Sequence, residues 1–320
     1  MILSVDIGGT TCKLGVFNND NTLKDKWQIA TNILDEGKHI LPDIYQSFLN
    51  YFDEIEEDIS VCSGIGIGVP GPVDFNTGIL NGAINLGWSD KKSVAEEFEK
   101  LSGISAIVDN DANIAALGEQ AHGAGNNADD VVLVTLGTGV GGGVVSERKL
   151  MHGSNGSAGE IGHIKVDHNE RFLCNCGLRG CLETVASATG MKNLAVYHYT
   201  HHFEETIISD IISDGTVNAK DIVEAAKEND ALAIRVLEDV SQYIGHALSS
   251  ISAVINPKVF IIGGGVSQAG DFLLNRIEAE YRPNTFSPAA EGTLIKIAEL
   301  GNDAGIYGAM ELVKQYIEEN

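Results

Sequence analysis

The sequence predicts an α/β protein made of two similar domains that face one ligand. Three observations carry this expectation. Short apolar, β-branched runs alternate with stretches of helical period in the first half of the chain, and the theme returns in the second. Two apolar strands, Ile2 to Ile7 and Val131 to Leu136, each run into a small turn of glycine and threonine and then a second strand, as duplicated units do. The chain has 320 residues, 43% of them hydrophobic, enough for two sizeable cores.

The elements follow in order. After Ile2 to Ile7, Lys13 to Asn18 reads as the hairpin partner and Ile40 to Tyr51 as a helix. Gly64 to Val69 is a buried strand closed by Pro70-Gly71-Pro72, Ser93 to Leu101 an amphipathic helix, and Ala106 to Val108 a strand ending at an acidic loop before a helical stretch, Ala115 to Ala121. In the second half, Val131 to Leu136 leads into a glycine-rich turn, Gly137 to Gly143, with Val144-Val145 as the returning strand. Asn218 and Asp230 are placed to cap helices over Ala219 to Glu228 and Ala231 to Ile255. Lys258 to Ile262 is a strand ending in Gly263-Gly264-Gly265, and a last helix covers Ala304 to Glu318.

Composition narrows the function. A formal charge of −24 repels nucleic acid and anionic membranes, so neither is an expected partner. No apolar run approaches the roughly 20 residues of a membrane span, and the N-terminus opens directly into a strand without a secretory signal, so a soluble cytoplasmic protein is expected. Of five cysteines, Cys12 and Cys62 stand in apolar segments and are expected to be buried and inert. The other three crowd between residues 174 and 181, which suggests a metal site.

Several motifs have the chemistry of a phosphoryl-transfer site. In Asp6-Ile7-Gly8-Gly9-Thr10-Thr11-Cys12-Lys13, glycines allow backbone N–H groups to approach an anion and threonines can donate. Asp6 could hold Mg2+ and Lys13 offset phosphate charge. The Walker A spacing is absent, and a structural hairpin explains the same residues. Gly137-Thr138-Gly139-Val140-Gly141-Gly142-Gly143 has more glycine than a hairpin needs, which points to backbone approaching a ligand. Asp109-Asn110-Asp111-Ala112-Asn113 reads either as a helix cap or as a carboxylate placed to accept a hydroxyl proton. Cys174-x-Cys176-x4-Cys181, with His163 upstream, can form a closed, structural Cys3His Zn2+ site. The histidines at 198, 201 and 202 read as a solvated helix face. Gly263-Gly264-Gly265 could border a nucleotide base or form a plain turn.

Together these segments resemble the ROK family (repressor, open reading frame, kinase). The carriers are Asp6-Ile7-Gly8-Gly9-Thr10, Val69-Pro70-Gly71-Pro72, Asn110-Asp111-Ala112-Asn113, the Gly137–Gly143 turn, Glu160-Ile161-Gly162-His163 and Cys174-Asn175-Cys176-Gly177-Leu178-Arg179-Gly180-Cys181. The resemblance covers essentially the whole chain. It implies a two-domain actin-like ATPase fold (ribonuclease H-like) with a cleft between domains, the first running to about residue 120 with the helix from about 306 to 320 packed on it, the second spanning 121–305. It implies ATP and a hexose as substrates, glucose above all because Ala83-Ile84-Asn85-Leu86-Gly87-Trp88 is similar to the corresponding glucokinase stretch. By the same resemblance, Asp111 is the general base; Gly71, Asn110, Asp111, Glu160, His163 and Glu183 bind sugar. Asp6, Gly8, Gly9, Thr10, Thr11, Lys13, Gly137, Thr138, Gly139, Gly141, Gly264 and Gly265 bind the nucleotide with Mg2+. His163, Cys174, Cys176 and Cys181 bind zinc, the histidine through one ring nitrogen while the other meets a sugar hydroxyl. Family members are often dimers or tetramers, so a homodimer or homotetramer is expected. An N-acetylmannosamine kinase or fructokinase of the same family is the nearest rival. A sugar-responsive repressor would carry a helix-turn-helix ahead of a strand that here begins at Ile2.

Overall fold

The alternation of strands and helices is realised as two five-stranded sheets. A computed structural model describes residues 1–202 and 205–319, His202 by its backbone alone. Ile2–Ile7 (β1) pairs antiparallel with Thr11–Phe17 (β2), which pairs antiparallel with Leu23–Ala30 (β3). Gly64–Val69 (β4) lies parallel to β1. Val73–Asp74 (β5), Ile79–Leu80 (β6) and Lys92–Ser93 (β7) form a small antiparallel sheet, and Ala106–Asn110 (β8) lies parallel to β4. The first sheet is ordered β3-β2-β1-β4-β8. Val131–Leu136 (β9), Val140–Ser146 (β10), Lys149–Leu150 (β11), Val259–Gly263 (β12) and Leu294–Ile297 (β13) build the second, ordered β11-β10-β9-β12-β13. Strands buried on both faces, such as β4, read as unbroken apolar runs. Edge strand β3 has no buried residue and carries Lys24, Asp25 and Lys26, exposed charges that discourage further pairing.

The chain divides into two compact units. The first is Met1–Asn127 with Gly143–Ala158 and Asn302–Asn320; the second is Ala128–Gly142 with Gly159–Gly301. In the first, Leu3, Ile7, Phe48, Ile65 and Phe98 are fully buried between sheet and helices. Each such side chain contributes about 1.5–3 kcal/mol by leaving water. The helix Ala304–Glu319 crosses the helix Asp111–His122 so closely that a Cβ on Gly308 would strike the Ile114 carbonyl and one on Gly118 the Ala304 carbonyl. In the second unit, Asn218 and Asp221 form a reciprocal capping box and Asp230 caps Ala231–Ser252. Buried Tyr281 meets Ser252 Oγ through its hydroxyl at 2.8 Å.

Three expectations are corrected. The helix after β8 starts at Asp111 and not near Ala115, because Asn110 caps it: its side chain accepts from the N–H groups of Ala112 and Asn113. The glycine-rich turn spans only 137–139, since β10 already pairs from Val140. His198 is not on a solvated face; it is 5% exposed and its Nε2 lies 2.9 Å from Asp239 Oδ2.

Candidate active site

In the first unit, the residues singled out gather at the carboxyl ends of β1, β4 and β8. Asp6 is the last residue but one of β1 and faces Lys13 across the hairpin, with Nζ 3.2 Å from Oδ2. The pair is partly exposed, so its net stabilisation is small. Gly305, on the first turn of the last helix, leaves room only for hydrogen beside the Asp6 carboxylate. The turn itself is tied by Gly8 N–H donating to the Thr11 carbonyl at 2.9 Å and by Thr31 Oγ donating to the Gly8 carbonyl at 2.6 Å. Gly9 lies against Asn85, and Thr10 is exposed. Asn110 donates through Nδ2 to the Gly71 carbonyl at 3.0 Å, so the β4 and β8 ends are joined where Asp111 starts its helix. Asp111 is half-buried and its Oδ1 accepts from the Ala112 N–H at 2.8 Å. A carboxylate at a helix N-terminus interacts favourably with the helix dipole.

In the second unit, the β9–β10 turn is held by its neighbours. Gly137 N–H donates to the Gly139 carbonyl at 3.0 Å, and the Gly137 and Thr138 carbonyls accept from Ala188 N–H and Thr189 Oγ. Glu183 Oε2 accepts the Val140 N–H at 3.1 Å, and a Cβ on Gly139 would collide with that carboxylate. The glycine excess therefore has a partly structural cause that the sequence does not reveal. Gly142 fits under the Gly159 carbonyl and Ile161; Gly143, where the chain returns to the first unit, fits against Ala112 and Ala116 of that unit. Gly264 and Gly265 follow β12, and a side chain at Gly265 would meet open space.

The third group surrounds the cysteines. Cys174 Sγ is 3.6 Å from His163 Nδ1, Cys176 Sγ is 3.7 Å from Cys181 Sγ, and the four candidate ligand atoms lie within 4.8 Å of one another. A tetrahedral zinc with sulfur at about 2.3 Å has ligand–ligand edges of about 3.8 Å, so the residues fit that ion. Burial pushes the Cys181 thiol up to about 12 and raises Cys174, whereas the Leu178 backbone N–H holds Cys176 down. A coordinated cation is what ionises buried thiols of this kind. His163 turns Nδ1 to the sulfurs and Nε2 towards Glu160, 3.9 Å away. Glu183 Oε1 lies 3.8 Å from Cys174 Sγ, so one carboxylate links the cysteines to the glycine turn.

This loop is anchored by a group that the sequence reading missed. Asp167, fully buried, accepts from Arg171 Nε at 3.1 Å, and the guanidinium packs among Phe172, Tyr197 and Tyr243. An aspartate and an arginine four apart in a loop carry no sequence signal; Phe172 is the neighbouring residue, but Tyr197 and Tyr243 come from distant helices.

The comparisons with known proteins cover this whole framework. The model of the ROK family matches residues 2–316. A glucokinase of Halalkalibacterium halodurans is 43% identical over 98% of this chain and 94% of its own length. A ROK hexokinase from Thermus thermophilus superposes with a TM-score of 0.85 at 26% identity, over 100% of this chain and 99% of that one. A ROK family glucokinase from Streptomyces griseus, solved in complex with glucose and AMPPNP, superposes with a TM-score of 0.76 at 32% identity, over 98% and 99%. The fold is thus the two-domain actin-like ATPase fold of these sugar kinases, and the chain belongs to the ROK family.

Proposed function

We propose that this protein is a hexokinase-type sugar kinase that transfers the γ-phosphoryl group of ATP to the 6-hydroxyl of glucose. The observation that carries the reading is Asp111: a half-buried carboxylate on a capped helix N-terminus, in a chain so similar to a glucokinase over nearly its whole length. Asp111 accepts the hydroxyl proton as the sugar oxygen attacks the γ-phosphorus in line. Asn110, bonded to the Gly71 carbonyl, holds the edge of the sugar site, with Glu160, His163 and Glu183 on other ring hydroxyls. The N–H groups of the two glycine turns receive the phosphates.

Asp6 would hold a magnesium ion accompanying the nucleotide, directly or through water; the ion supplies positive charge at the phosphate oxygens. His163, Cys174, Cys176 and Cys181 would hold zinc, whose role is to fix the loop carrying the sugar ligands. Among the described residues no helix is long and apolar enough to cross a membrane. We place the enzyme in the cytoplasm.

The reading is tested by steady-state kinetics with ATP and four sugars. A site that satisfies each equatorial hydroxyl of glucose rejects an epimer, because each misplaced hydroxyl leaves a buried partner unpaired at about 1–3 kcal/mol. The expected order of kcat/KM is glucose, mannose, then N-acetylmannosamine and fructose far behind. Either of the last two coming first would overturn the choice of glucose and leave a different kinase of the same family.

A further inference from the structure

Beside the proposed base lies a buried carboxylate that the mechanism does not use. Asp109, two residues before Asp111 and 1% exposed, accepts three hydrogen bonds. Its Oδ1 takes the Asn110 N–H at 2.7 Å and Asn113 Nδ2 at 2.9 Å, and its Oδ2 faces His152 Nε2 at 2.6 Å. The His152 ring stacks on Phe75 with centroids 4.2 Å apart and planes at 14°, and its backbone carbonyl accepts from the Ala158 N–H. His152 belongs to the Gly143–Ala158 excursion, which returns to the first unit.

A carboxylate so buried is tolerated only while its oxygens keep their donors. Two of those donors, Asn110 N–H and Asn113 Nδ2, belong to the turn that carries Asp111, so the position of this carboxylate sets the position of the turn. The third donor comes from outside the turn and fixes the carboxylate itself. We infer that His152 is a positioning residue for phosphoryl transfer: through Asp109 it holds the Asn110–Asp111 turn where Asp111 can reach the sugar hydroxyl. The inference rests on Asp111 being the base. His152 touches neither sugar nor nucleotide in this account. Its effect falls on turnover, because a shift of the base by about 1 Å costs about 10²-fold in rate.

The test compares His152→Phe, which can stack on Phe75 but offers no donor, with His152→Gln, whose amide nitrogen reaches about as far as Nε2. With glucose and ATP, His152→Phe is expected to lose about 30- to 100-fold in kcat with KM for ATP within about threefold of wild type, and His152→Gln to keep kcat within about threefold. Thermal melts confirm that both variants are folded at the assay temperature. The inference is overturned if the Phe variant turns over like wild type, or if a folded Gln variant falls as far as the Phe variant. Should His152→Phe not fold, Asp109→Asn decides the matter: it keeps the shape and removes the charge, and a wild-type kcat there would overturn the inference. Wild-type protein inactive on every hexose would count against the kinase reading instead. The brace is then read from hydrogen exchange at Ala112 and Asn113, expected to be faster in His152→Phe than in His152→Gln; equal rates would overturn it.

Discussion

The two hairpins, β1–β2 and β9–β10, share a frame and differ in chemistry. Each pairs a strand of six residues with one of seven, and each first strand is buried except at its last position but one. In the first unit that position is Asp6, paired with Lys13 across the ladder; in the second it is Thr135. The first turn thus carries its own charges, while the second borrows a carboxylate, Glu183, from the short helix that follows the cysteines. The two hairpins repeat one backbone frame; the residue at one register position decides whether a turn manages charge alone or depends on a neighbouring segment.

The comparison predicts where damage spreads. The largest effect belongs to the first unit's proposed base. Asp111→Asn keeps the helix-capping geometry but accepts no proton, so kcat is expected to fall about 10²–10⁴-fold with the glucose KM nearly unchanged. Turnover within a few-fold of wild type would remove Asp111 from that role. The next effect is in the second unit. About one zinc per chain is expected by metal analysis of protein prepared without chelators, and Cys176→Ser should abolish it. Glucose KM should then rise about tenfold or more, with ATP KM changing less. A metal-free, fully active preparation would break the link between the cysteines and the sugar loop.

A pair of glycine substitutions sharpens the contrast. Gly139→Ala drives a methyl group into the Glu183 carboxylate, whereas a methyl at Gly9 would sit at ordinary contact with Asn85, 3.5 Å away. Gly139→Ala is therefore expected to raise KM for both ATP and glucose, each by about tenfold, and Gly9→Ala to raise that for ATP alone by a few-fold. If both variants disturb only ATP binding, Glu183 does not connect the second turn to the sugar loop.

Much of this was legible because it is local. β1, β4 and β9 have the bounds that their apolar runs suggest, and the caps at Asn218 and Asp230 follow from Asx residues before amphipathic helices. The His163 and cysteine cluster was legible because ligand types and glycines recur at short spacing. What could not be read depends on chain segments far apart in sequence. Edge strand β3, LKDKWQIA, has too much charge to announce itself. The packing that demands Gly142 and Gly143, the burial of His198 against Asp239, and the His152–Asp109 contact are all set by partners from other elements.

The smallest expected effect concerns what holds the first unit's helices together. Glu311, on the last helix, accepts from His122 Nε2 at 3.2 Å and from Lys314 Nζ at 2.9 Å; His122 ends the helix that begins with Asp111. Burial works to raise the Glu311 pKa, but the hydrogen bonds from His122 and Lys314 outweigh it and hold the carboxyl below the usual range. A group whose folded pKa lies below its unfolded value of about 4.3 stabilises the fold in full above that pH, and its contribution drains away as pH falls through the folded pKa. Glu311→Gln is thus expected to cost about 1 kcal/mol at pH 6. The gap between wild type and variant should shrink as the pH is lowered from about 4.3, because protonation makes the native side chain as neutral as the amide. Thermal melts of both proteins at pH 6 and pH 3.5 measure it. A gap that stays constant or widens in acid would mean that packing, and not the carboxylate's charge, joins the helix bearing Asp111 to the helix bearing Gly305.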